Sequence, residues 1–171
     1  MSEVPKDMRG QLRWAKERID SQLQRLSKIS SGVEAREKSL FEKVVSLEKS
    51  GQSLRASSYS IELSEVRKLK DIVRATVATL DAISLKLEGA VSLGDAVAAM
   101  SGAREAIRAL GSQVKGMNPE FDRVLAEIDE ILSSTQQSFP DIQVPRSEEA
   151  EQILMEAAAL ADLRLRGQQG S

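Results

Sequence analysis

Lys6, Arg9, Arg13 and Lys16 recur at intervals of three, four and three, which puts four cations on one stripe of a helix. Beside them run Met8, Leu12, Ala15 and Ile19. An apolar strip flanked by bases suits an anionic membrane surface, where each base contributes on the order of 1 kcal/mol. Arg67, Lys70 and Arg74, with Lys68 nearby, form a second basic stripe. An ordinary solvated face would show the same spacing. Nucleic acid also attracts bases, but the formal net charge is −2 and no aromatics are interleaved for base stacking. Nucleic acid is therefore not an expected partner.

Covalent and metal chemistry find little to work with. The chain has no cysteine and no histidine. That excludes disulfides, thiolate nucleophiles, Cys/His zinc sites and a Ser-His-Asp triad. Phosphate-loop, dinucleotide, HExxH and GxSxG patterns are missing too. Acids such as Glu127, Asp129 and Glu130 are numerous, but a catalytic pair needs a concave site that shifts its pKa values. The expectation is a protein that is not an enzyme and takes no cofactor and no metal. No apolar run approaches the roughly 20 residues needed to span a bilayer, and no leader-like apolar region precedes a cleavage site. The net charge hides a division. Residues 1–80 carry 16 Lys/Arg against 11 Asp/Glu, and residues 81–171 carry 8 against 15. A basic half and an acidic half can attract each other or part to meet an anionic partner.

The elements that must position these charges are helices. Leu12, Ile19, Leu26, Val33, Leu40 and Leu47 stand seven apart, and after Gly51 the repeat resumes at Tyr59, Val66, Val73, Leu80 and Leu87. Such a repeat over about five heptads marks a long helix with a narrow seam for another helix. Two of them joined at Ser50-Gly51-Gln52-Ser53 make an antiparallel hairpin over residues 6–88, or two arms of an assembly. The first is expected to bend near Ser30-Ser31-Gly32, and Ser53 to cap the second.

Gly89 and Gly94 interrupt the pattern and form a candidate hinge. A third helix is expected over 93–115. Asn118-Pro119-Glu120 then reads as a start signal for a fourth over 119–137. Residues 138–147 hold two of the four prolines and read as a linker; a last helix and tail occupy 148–171. The fold class is all-α: a long antiparallel helical hairpin followed by shorter helices, with the core in residues 1–137.

The order of these parts resembles the ESCRT-III family, nearest its archaeal cell-division members. The likeness is carried by Arg36-Glu37-Lys38-Ser39-Leu40-Phe41-Glu42-Lys43 and Glu65-Val66-Arg67-Lys68-Leu69-Lys70 in the hairpin. Ser84-Leu85-Lys86-Leu87-Glu88, Leu93-Gly94-Asp95, Pro119-Glu120 and Glu127-Ile128-Asp129-Glu130-Ile131-Leu132 continue it. The resemblance covers about residues 12–137 and rests on order and spacing.

It implies a cytoplasmic polymer subunit, peripheral on the inner face of the cell membrane at the division site. Its implied partners are itself, paralogous ESCRT-III-like subunits and an anionic membrane surface. A further implied partner is an AAA ATPase, gripping the tail through its microtubule-interacting-and-transport domain. One family tail motif is not met: counting from Glu151, Leu154 fits, but Ala157, Ala158 and Ala161 stand where an arginine and two leucines belong. The other mode uses an extended proline segment, for which Phe139, Pro140, Ile142, Val144 and Pro145 are the candidates. The alternative is a coiled-coil adaptor or dimerisation protein with no membrane role.

Overall fold

The computed structural model describes residues 7–90, 92–138 and 152–163 except 154 and 162. The chain divides into two compact units, Met1–Phe139 and Pro140–Ser171. The first holds four helices: α1 (Met8–Lys49), α2 (Ser53–Glu88), α3 (Leu93–Ser112) and α4 (Pro119–Gln137). In the second, the described residues are helical and exposed. No strand occurs among the described residues.

Local chemistry sets the helix ends. The Asp7 carboxylate accepts from Gly10 N at 3.2 Å and opens α1. Gly51, at φ +75°, makes the left-handed turn that ends α1, a conformation that costs glycine little. Ser53 does not cap α2, contrary to expectation. It is the first helical residue, and Gln52 precedes it without a side-chain cap bond. The Ser92 hydroxyl accepts from Asp95 N at 3.2 Å, and Asn118 Oδ1 from Phe121 N at 3.0 Å with Pro119 at the first helical position.

α1 is helical through Ser30-Ser31-Gly32. A further departure concerns continuity. α3 ends at Ser112, three residues earlier than its apolar pattern suggests. Val114 is buried all the same, but it sits in a turn whose N–H bonds Gly111 O at 3.2 Å, and the chain then reverses at Gly116, φ +83°. Apolar spacing therefore outlasts the helix.

The heptad residues Leu12, Ile19, Leu26, Val33, Leu40 and Leu47 of α1 are buried, as are Val66, Val73, Leu80 and Leu87 of α2. They close the α1–α2 hairpin of a single chain, so in this arrangement the seam is not a surface offered to another copy. Tyr59 leaves the line. It is half-buried, and Ala56 and Leu63 fill the seam on either side of it.

α3 packs along α2, α4 along α1, and α3 against α4. Gln11 Nε2 donates to Ser138 O at 3.1 Å, while Gln22 and Arg25 reach Glu127. α4 therefore runs antiparallel to α1, and its start lies level with about residue 30. Below that level the first unit is a four-helix body whose core includes Met100, Phe121, Ile128 and Leu132. Above it only the hairpin continues. From Val33 to Ser50 this two-helix arm extends about 25 Å at 1.5 Å per residue.

Candidate functional site

The open end of the hairpin gathers the first basic stripe. Met8, Arg9, Leu12, Arg13 and Lys16 of α1 meet Leu87, Glu88, Gly89 and Ala90 around a groove of about 600 Å³. Leu12 and Leu87 are buried, Met8 is half-buried, and Arg9 and Arg13 are exposed. Lys16 is partly committed elsewhere, because its ammonium bonds Asp20 at 2.8 Å. That bond holds the lysine above its ordinary pKa and the aspartate below its own, where a bond from Ser84 Oγ at 2.9 Å assists. Lys6 lies outside the described residues. One turn inward, Arg18 stacks over the Trp14 ring at 4.4 Å, a pairing that the i,i+4 spacing of base and aromatic would have signalled.

The second basic stripe is placed differently. Lys70 and Arg67 bond Glu37 at 2.7 and 3.6 Å, and Arg74 bonds Glu34 at 3.1 Å. These bases tie α2 to α1 across one edge of the hairpin, and Arg36 with Glu62 does the same across the other. Lys68 alone of the four faces solvent without an ion pair among the described residues. Spacing on one helix reports a shared face, not what stands opposite. Three of the four bases thus pair across the hairpin, while Arg67, Lys68 and Arg74 stay exposed.

Gly89 caps the end of α2 at φ −96°, and Gly94 is already inside α3. Between them Ser92 takes extended backbone, φ −135° and ψ 152°, where the chain turns. A Cβ on Gly89 would meet Leu85 O at 3.6 Å and one on Gly94 would meet Ser92 Oγ at 4.0 Å, both ordinary contacts. The tail candidates Phe139, Pro140, Ile142, Val144 and Pro145 lie outside the described residues.

Two features escaped the periodicity argument. On the arm, Phe41, Val45, Leu54 and Ile61 expose large apolar side chains off the seam. On the body, Ile107, Leu125, Ile128 and Leu132 line a groove of about 350 Å³ between α3 and α4. Among the described residues no cluster of three or more acids, histidines or cysteines could hold a metal ion, and no helix is long and apolar enough to cross a membrane.

Comparison with known proteins supplies the remaining observation. Cell division protein B1 of Sulfolobus acidocaldarius is 33% identical over 158 residues, spanning 89% of this chain and 74% of its own length. Cell division protein B of the same organism is 27% identical over 155 residues, spanning 87% of this chain and 59% of its own length. The chain thus covers less than two thirds of the second relative. No family profile and no solved structure matches it.

Proposed function

Because the chain belongs to the archaeal cell-division branch of the ESCRT-III-like family, we propose that it is a non-enzymatic subunit of filaments assembled on anionic membranes during cell division. The observation that carries this reading is the likeness to Cell division protein B1. At 89% of the chain it is too long to be met by the hairpin alone, so the shorter helices share it. The open end supports the membrane side, with Arg9 and Arg13 exposed beside Met8. In this reading the protein is cytoplasmic and peripheral on the inner face of the membrane, and co-assembles with paralogous subunits. An AAA ATPase engages the segment Phe139–Pro145 through its microtubule-interacting-and-transport domain.

The test reverses charge at the open end. Replacing Lys6, Arg9 and Arg13 by Glu and Lys16 by Gln removes about 1 kcal/mol of attraction per base and should abolish co-sedimentation with anionic liposomes, with helicity by circular dichroism retained at a lower thermal midpoint. Sedimentation equal to the parent's at low salt would remove the membrane role. Electron microscopy of the parent with these liposomes separates the adaptor alternative, which forms discrete oligomers indifferent to lipid.

A further inference from the structure

The arm and the body of the first unit carry features that complement each other but cannot meet within one chain. Leu54, Ser58, Ile61 and Glu65 fall on one line of α2, at steps of four, three and four, away from the seam. Leu54 is 88% exposed and Ile61 64%. About two and five helical turns past Glu65 on the same line, Ile72 and Ile83 are buried on the side where α3 packs. One face of α2 is thus covered over the body and bare over the arm. Among the described residues of the first unit, four of the five exposed large apolar side chains are on the arm.

The α3–α4 groove has the form to receive that face. Its floor is apolar, and it runs along α4 from Asp122 to Leu132, ten residues or about 15 Å. Leu54 and Ile61 stand about 10 Å apart along their helix, so both fit within it. Along its α3 edge lie Arg104, Arg108 and Lys115. Arg104 and Arg108 share Asp129 at 3.0 and 3.7 Å, Arg108 with its side chain still 70% exposed, and Lys115 is exposed with no ion pair among the described residues. Glu65, one turn past Ile61, supplies the opposite charge.

We infer that the bare α2 face at Leu54 and Ile61 of one copy docks in the α3–α4 groove of a second copy, with Glu65 against the Arg108–Lys115 edge. The helices of the arm point away from the body, so a chain cannot fill its own groove. Each copy offers one knob and one groove on different surfaces, so a head-to-tail contact is heterologous and can link successive copies into a filament or ring. The inference rests on the self-assembly reading above and names its contact.

The absence of cysteine makes a direct test simple. In the full-length chain, Ser58→Cys with Ala126→Cys places one thiol on the knob and one at the groove. Under mild oxidation during assembly the double variant should give a ladder of disulfide-linked multimers on a non-reducing gel, and neither single variant should. Leu54→Asp with Ile61→Asp alters only exposed positions. It should leave circular dichroism unchanged and raise the concentration needed for pelleting at least tenfold. Glu65→Lys should weaken assembly, and Lys115→Glu in the same chain should restore part of it. Filaments of the parent with no ladder from the double variant would overturn this contact and leave self-assembly standing. Dimers from Ser58→Cys alone would replace it by a symmetric arm-to-arm contact. No polymer of the parent under any condition would remove both readings.

Discussion

Glu37 shows how single charges hold the hairpin in register. Lys70 bonds it at 2.7 Å and keeps its carboxyl below the usual carboxylate range, with Arg67 assisting. Asp20 is lowered likewise, first by Lys16 and then by Ser84, against the opposing effect of burial. Each of these carboxyls binds its proton more weakly folded than unfolded. The stability they contribute is therefore complete above the ordinary carboxylate range and is lost as pH falls through it. The thermal midpoint should hold near neutrality and decline below about pH 5, and Glu37→Gln should flatten part of that decline. A midpoint independent of pH in acid, followed by circular dichroism, would mean these pairs are energetically silent. The residues of both basic stripes could be read from the sequence. Their partners could not, because Glu34 and Glu37 meet Arg74 and Lys70 only after the chain has turned back at Gly51.

Among the elements, the hairpin was the most legible part. A strict heptad repeat leaves one narrow apolar line, and that line is what α1 and α2 bury. Tyr59 strays from it because its ring lies under Lys43, whose ammonium stands 4.4 Å from the ring centre and lowers the phenol's pKa by hydrogen bonding. The end of α3 departs from the apolar pattern because Val114 keeps the spacing after the backbone has turned. The two glycines at the α2–α3 break also separate into different roles. Gly94 is helical here and would remain so if α2 and α3 joined into one helix, so alanine there favours neither state. Gly89 is the end cap, and only there would alanine favour the joined helix, by roughly 1 kcal/mol or about fivefold. Gly89→Ala should raise the population of the joined helix by about that factor, read as the distance between spin labels placed on α2 and α3, and Gly94→Ala should leave it unchanged. Equal effects of the two would place the hinge elsewhere.

On the scale of the whole molecule, the division of charge between the halves of the chain allows attraction or separation and names no anchor points. Of the acids on α4, Glu127 reaches the hairpin at Gln22 and Arg25, whereas Asp129 turns to Arg104 and Arg108 on α3. Net charge gives the sign of an interaction and is silent on which carboxylate takes which base. The Arg25–Glu127 pair is partly exposed on both sides, so it contributes about 1 kcal/mol at most and is open to screening. Arg25→Glu should loosen α4 from α1, seen as faster amide exchange in α4, and Glu127→Arg in the same chain should restore protection. Raising salt should move the parent in the same direction as the single variant. Exchange in α4 that ignores both changes would mean that the apolar face of Phe121, Val124, Ile128 and Leu132 alone retains it.

The two-helix arm has a consequence of a metric kind. Above the level where α4 begins, nothing but the partner helix constrains its length. Seven residues added after Val33 and seven more added before Leu69 would preserve the heptad spacing of the seam, keep Leu54 to Glu65 together and lengthen the arm by about 10 Å. The four-helix body would not register the change. In an array joined through the arm's tip, the spacing between neighbours is then set by the number of heptads, and arm length acts as a ruler that evolution or an engineer can adjust in fixed increments.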